Sequence, residues 1–370
     1  MLNRRRFISL AAASLAAPPV ISSRALGAGI DWPAKTVRIV VPFTPGGSTD
    51  TTARLVGNRL QEVWGQSVVI ENKGGAGGNI ATDMVAKSDP DGYTILIVGP
   101  GMATNKFLYP SLSYDPVGDF APVTLLITQP NMMCVPNTSP AKSVKEFIAF
   151  CNDNRGKVTY ASSGNGTTLH LSGELFKRMA NVEMTHIPYR GGAPALNDLI
   201  PGRVDVIFDN APTVVTHVRA GHVRALAVTT RERIAIMPDL PTVGETVPGF
   251  DVFSWFGFFV PVKTPPEVIA RINADTNAAL VHPPVKSRFE DLGAAPKGST
   301  PAELAAFLQA ETDKWGPGDP RRPYQGRELR GGEGNVGSVR HDGGPVKAQT
   351  VENPPISAGL AGRQGRPTPL

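Results

Sequence analysis

The chain is 370 residues long, 41% hydrophobic and 19% charged. That balance allows roughly two ordinary domains with buried cores and excludes a fibrous or wholly disordered chain. The formal net charge of +5 sits at the ends: residues 1–27 carry four arginines and no acid, residues 317–370 carry eight basic and five acidic residues, and the stretch between is −2. A slightly acidic body excludes a general nucleic-acid binder.

The first 27 residues read as an export signal. Arg4, Arg5 and Arg6 form a charged start, an Ala/Leu-rich run follows to about Val20, and Ala25-Leu26-Gly27 offers small residues for cleavage. Arg4-Arg5-Arg6-Phe7-Ile8 fits the twin-arginine pattern, with a basic Sec signal as the alternative. No later stretch reaches the roughly 18 apolar residues of a membrane span, so a soluble mature body is expected. In an oxidising compartment Cys134 and Cys151 are permitted to pair but not required to, since a buried free cysteine serves as a small hydrophobe.

After the signal, residues 37–41 are a largely β-branched run that ends in Pro42-Phe43-Thr44-Pro45-Gly46-Gly47. Residues 51–63 then space their apolar positions as a helix does. The strand, turn and helix pattern recurs three times: 94–98 leads to Gly99-Pro100-Gly101, 158–161 to Ser162-Ser163-Gly164-Asn165-Gly166, and 204–208 to Asp209-Asn210-Ala211-Pro212. Strands alternating with helices predict parallel α/β sheets, whose ligands bind outside the carboxyl ends of the strands, where these four turns lie.

Two apolar runs, 123–135 (interrupted at Pro130) and 252–260, have the character of strands that connect two lobes. The expected division is residues 28–128 with 254–316 in lobe one and 129–253 in lobe two. From residue 317 onward about a third of the residues are Gly or Pro and no period survives, so 317–370 is expected to be a disordered tail.

Several strings resemble the signatures of the tripartite tricarboxylate transporter receptors, the Bug-type solute-binding proteins. They are Pro42-Phe43-Thr44-Pro45-Gly46-Gly47-Ser48-Thr49-Asp50, Glu71-Asn72-Lys73-Gly74-Gly75-Ala76-Gly77-Gly78 and Pro90-Asp91-Gly92-Tyr93-Thr94, and then Tyr160-Ala161-Ser162-Ser163-Gly164-Asn165-Gly166-Thr167. Ile187-Pro188-Tyr189-Arg190-Gly191, Arg224-Ala225-Leu226-Ala227-Val228-Thr229, Pro238-Asp239-Leu240-Pro241-Thr242 and Pro248-Gly249-Phe250 continue the match in order. The resemblance runs from about Val37 to Trp315. It implies a two-lobed periplasmic binding protein of type II, with a cleft between lobes joined by two crossing strands. It also implies capture of a small organic acid or amino acid for a membrane transporter, with ordered waters near Pro45-Gly46-Gly47 helping to hold a carboxylate. Two departures stand out: Ala81 replaces a glycine common in relatives, and the tail after Gly316 reads as the product of a changed reading frame.

A carboxylate needs hydrogen-bond donors, and the first turn of a helix supplies unpaired N–H groups with a favourable dipole. The candidate contacts from the first turn are Phe43, Thr44, Pro45, Gly46, Gly47, Ser48 and Asp50. Thr104 and Asn105 follow the second turn, Ser162, Ser163, Gly166 and Thr167 form the third, and Asp209 stands at the fourth. Ser48, Thr167 and Asp209 have helix capping as the alternative reading, and Phe43, Trp255 and Phe256 are candidate walls. No arginine lies in these four turns, so neutral donors and water are expected to replace the guanidinium clamp.

Enzyme readings are weaker. In Gly75-Ala76-Gly77-Gly78 the third glycine of a dinucleotide loop is replaced by Ile80, and no Lys-Ser/Thr pair follows for a phosphate loop. Around Ser162 and Ser163 the nucleophile-elbow glycines are replaced by Tyr160 and Asn165. His170, His186, His217, His222, His282 and His341 fall in no metal-ligand spacing. A monomer is expected, without catalytic residues, cofactor, metal or nucleic acid. A receptor that signals to a sensor protein, or an enzyme that holds a phosphate or cofactor on its glycine turns, are the alternatives.

Overall fold

A computed structural model describes residues 30–316. The expected export signal (1–27) and the expected disordered tail (317–370) lie outside the described residues. The strands are β1 (Val37–Val41), β2 (Val68–Asn72), β3 (Thr94–Val98), β4 (Phe120–Pro136), β5 (Thr159–Ser162), β6 (Thr185–Pro188), β7 (Val206–Asn210), β8 (Val223–Val228), β9 (Phe253–Pro261) and β10 (Ala295–Pro296). Between and after them run α1 (Ser48–Trp64), α2 (Asn79–Ala86), α3 (Gly101–Leu108), α4 (Val144–Asp153), α5 (Thr168–Met179), α6 (Gly192–Leu199), α7 (Ala211–Arg219), α8 (Pro266–Val281), α9 (Pro283–Asp291) and α10 (Pro301–Trp315).

The strands form two sheets that share β4. The first has the order β2-β1-β3-β9-β4, with β10 also on β4; β1 is parallel to β2 and β3, whereas β9 runs antiparallel to both β3 and β4. The second has β4-β7-β5-β6 with β8 also on β4, and β5 is parallel to both β6 and β7. This is a mixed α/β fold, with both parallel and antiparallel pairs in each sheet.

β4 does not break at Pro130. Its partner changes there: Pro130 is the last residue paired with β9, opposite Phe253, and Asn131 is the first paired with β7, opposite Asn210. A proline lacks the N–H that a ladder needs, so it costs least where one ladder gives way to the next. The chain returns at Val252, whose N–H donates to the Thr229 carbonyl (2.9 Å) just before β9 begins.

Both faces of the first sheet are covered, which is why β1 and β3 read as unbroken apolar runs. Ile39, Val41, Ile95 and Ile97 pack on one side with Val56 and Leu60 of α1. Val40, Leu96 and Val98 face the other side, against Met102, Leu304 and Ala81. Fully burying such a side chain is worth about 1.5–3 kcal/mol. Ala81 thus contributes a methyl group to the core where a glycine would leave none.

In the second sheet Met132, Cys134, Ala161 and Ile207 meet Leu169 of α5 and Val214 of α7. Cys134 and Cys151 are both free and buried, and burial raises both thiols, that of Cys151 to about 12. They act as small hydrophobes.

Candidate functional site

Each parallel strand ends in a turn that starts a helix. The starts of α1, α3, α5, α6 and α7 come together around one cavity of about 40 Å³, which includes Gly47, Ser48 and Thr49, Pro100 and Gly101, Thr167 to Leu169, Gly192, and Asn210 with Thr213 in its wall. None of these five helices has a side-chain cap. No N-cap side chain consumes their first-turn N–H groups, although Ser48 N of α1 is taken by Thr213 Oγ1 and Met102 N and Ala103 N of α3 by the Gly99 and Pro100 carbonyls, and five dipoles place partial positive charge on one small volume. Among the described residues no Lys, Arg or His lines it, and Asp209 is the one ionisable residue of the wall.

Of the expected residues, Phe43, Gly47, Ser48, Ser163, Thr167, Asp209 and the candidate wall residue Phe256 line the cavity. The others stand behind or beside it. Pro45 and Gly46 are exposed at the rim. Asp50 is buried and braces the first turn: its carboxylate accepts from Gly46 N (3.0 Å), Arg54 Nε (3.0 Å) and Asn72 Nδ2 (3.0 Å). Burial raises its pKa, but those hydrogen bonds outweigh it and hold the group below the usual carboxylate range.

Thr44 donates its N–H to the Arg190 carbonyl (3.1 Å). Thr104 Oγ1 donates to the Gly166 carbonyl (3.2 Å) and Asn105 Nδ2 to Asn79 Oδ1 (2.6 Å). Thr104 thereby joins the turn after β3 to the turn after β5, across the two sheets. A second link is denser: Ser48 N donates to Thr213 Oγ1 (3.0 Å) and Asn210 Nδ2 to Ser48 Oγ (2.7 Å), tying the start of α1 to that of α7. Neither Ser48 nor Asp209 caps a helix; the N-cap positions of α1 and α7 belong to Gly47 and Asn210. Thr167 occupies the N-cap of α5, but its hydroxyl donates backwards to the Gly164 carbonyl (2.7 Å).

The turn after β5 rests on a stack of rings in which Tyr160 and His170 are buried and His186 is partly buried. Gly166 N donates to His170 Nδ1 (3.1 Å), and Ser162 Oγ, which accepts from Gly164 N (3.0 Å), lies 2.6 Å from His186 Nε2. The two imidazoles stack at 4.3 Å and His186 stacks on Tyr160 at 4.8 Å. Burial pushes both imidazoles down to about 3, so His170 stays neutral and its Nδ1 stays an acceptor.

Gly77 closes the wall from the loop before α2. Its φ of +61° is in the left-handed region, and an added Cβ would collide with the Asn165 carbonyl oxygen, so only glycine allows these two backbones to meet.

Sequence reasoning missed the fifth turn, which carries Gly192. The strand before it, Thr185–Pro188, is too short and mixed to stand out as a periodic run. The available signal was the Gly191-Gly192 pair ahead of a helical pattern, matching Gly46-Gly47. Arg190 lies on this turn, but it is exposed and outside the cavity wall. Asn210 and Thr213 were also missed, at the N-cap and in the first turn of a helix whose start had offered only Asp209 as a candidate.

Residues 52–318 match the model of the tripartite tricarboxylate transporter family receptor. The chain belongs to this family. The UPF0065 protein in the tcbD-tcbE intergenic region of Pseudomonas sp. strain P51 is 40% identical over 286 residues, 77% of this chain and 85% of that protein. The solved structure of R. palustris Rpa4515 with adipate is 42% identical with a TM-score of 0.76, covering 77% of this chain and 96% of that one. MatC from Rhodopseudomonas palustris, with bound malate, is 37% identical with a TM-score of 0.74, covering 77% and 98%. The family is one of periplasmic solute-binding receptors, and the cavity is lined by residues that follow strands of both sheets. Among the described residues no group of His, Cys, Asp or Glu is placed to hold a metal ion.

Proposed function

We propose that this receptor captures a small carboxylate in the cavity between its two sheets and delivers it to the membrane subunits of a tripartite tricarboxylate-type transporter. The observation that carries the reading is the convergence of five uncapped helix starts on a cavity with no basic side chain. Many weak N–H donors and oriented dipoles hold an anion there without a guanidinium. Adipate in one relative and malate in another support the choice of ligand class.

The proposed lobes divide at 128/129 and 253/254, near the point where β4 changes partners. A cavity of about 40 Å³ has room for about three water molecules, so the lobes must part to admit a dicarboxylate and close upon it. The links from Thr44, Ser48 and Thr104 across the sheets belong to the closed form.

A thermal-shift screen of carboxylates, amino acids and nucleotides tests the reading. At about 100 times its dissociation constant a true ligand adds roughly 2.7 kcal/mol of stability. A dicarboxylate is expected to give the largest rise. A rise with nucleotides and none with any carboxylate would overturn the proposal.

A further inference from the structure

Asp209 sets a physical problem for an anion site. Its side chain is 1% exposed, it forms part of the cavity wall, and it is the one ionisable group there. Oδ1 accepts from Asn210 N (2.7 Å), while Oδ2 has no hydrogen-bond partner. The Thr213 hydroxyl beside it accepts from Ser48 N and keeps its own proton for the Asp209 carboxyl. A buried carboxylate facing a bound carboxylate costs heavily if both are charged. Two carboxyl groups that share a site relieve this by sharing a proton, with one becoming the donor.

We propose that Asp209 holds the ligand as a neutral acid, its Oδ2–H donating to a carboxylate oxygen of the bound anion, so that capture takes up one proton from solvent. The proton leaves a hydronium ion or buffer acid and forms the Oδ2–H bond, no other covalent bond changes, and the complex carries one negative charge fewer than its separated parts above neutral pH. This rests on the carboxylate reading of the cavity.

The surroundings agree. α1 faces Asp209 with Ser48, α6 with Gly192, and α7 with Asn210 and Thr213, none of them ionisable. On β4 the residue opposite is Met132, and two positions on stands Cys134, a buried thiol raised by burial and by the Asp209 charge. Among the described residues no cation is offered to keep Asp209 ionised. Burial raises its carboxyl to about 7, against the lowering effect of the Asn210 N–H and the Thr213 hydroxyl. The unliganded group is therefore poised to gain a proton when an anion arrives. Ligand affinity is then highest at low pH and falls about tenfold per pH unit once the pH exceeds the unliganded value.

Calorimetry with adipate and malate, at pH 6 to 8.5 in buffers of different ionisation enthalpy, tests this. If neither binds the wild type at any pH, the choice of ligand has failed, and the proton-uptake proposal falls with it. If either binds, uptake approaching one proton at the upper end of the range is expected. Asp209→Asn should abolish both the uptake and the pH dependence, whereas Cys134→Ala should keep them. Infrared difference spectra of the wild type supply a readout without a variant: a carboxylic-acid C=O band should appear on binding. Binding with no proton uptake and no such band would overturn the proposal. So would uptake that survives in Asp209→Asn, which would place the proton elsewhere, or tight binding of malate alone without uptake, which would make Asp209 an acceptor for its hydroxyl.

Discussion

His170 and His186 show how a residue with no ligand contact can still shape the site. His170 Nδ1 holds the Gly166 N–H and His186 supports Ser162, so the turn that presents Ser163 and Thr167 depends on two neutral imidazoles. Their folded values of about 3 lie below the ordinary 6.5. The unfolded chain therefore binds more protons between those limits, and the stability they contribute is present above about 6.5 and is lost as the pH falls toward 3. The loss is at most about 1.4 kcal/mol per pH unit for each ring. Urea unfolding at pH 7 and pH 5 should show the midpoint falling in the wild type and falling less in the doubly substituted His170→Gln, His186→Gln chain. A midpoint that falls equally in both would show that these rings are not the buried bases of the fold. Sequence showed two isolated histidines and no metal spacing. It did not show that they stack, because residues 16 apart meet only once β6 lies beside β5.

At the scale of elements, the strands and helices were largely legible because their signals are local. Residues 37–41 and 94–98 were read to the residue, and the turns after β1, β3, β5 and β7 announced themselves through Gly, Pro and Ser. Less was legible where the cause is tertiary. Pro130 reads as an interruption, and only the partner change along β4 explains why the strand survives it. At the other end of the described residues, α10 is fastened by a buried carboxylate that pattern alone does not assign. Glu311 Oε2 accepts from Trp255 Nε1 (3.2 Å) on β9 and from Trp315 Nε1 (3.3 Å) on its own helix. Glu311→Ala would leave two buried indole N–H groups unpaired and should destabilise the protein by about 1–3 kcal/mol in urea unfolding. A change within about 0.5 kcal/mol would mean that α10 is held by its apolar face alone.

At the scale of the whole molecule, two sheets strung on one strand bring five helix starts to a single small cavity. The four turns read from sequence supplied half of that picture: the chemistry of neutral donors without arginine was visible, but which side chains reach the cavity was not. Ser162, Gly166, Asp50, Thr104 and Asn105 hold the turns in place, while Gly192 and Thr213 join the wall from elements whose signals were weak or unread. The two double-glycine turns also differ in a way that spacing hides. A Cβ added at Gly47 would meet nothing closer than Gly192 N at 3.8 Å, whereas one added at Gly192 would lie 2.8 Å from Asp209 Oδ2 and 3.0 Å from Oδ1.

That contrast supplies the most direct measurement of the claim that this cavity is the carboxylate site. Adipate and malate are titrated calorimetrically into the wild type, Gly47→Ala and Gly192→Ala, each checked for cooperative unfolding. One bound dicarboxylate per chain is expected in the wild type, a modest loss in Gly47→Ala, and a loss of at least about tenfold, roughly 1.4 kcal/mol, in Gly192→Ala. Wild-type affinity in a folded Gly192→Ala chain would contradict it.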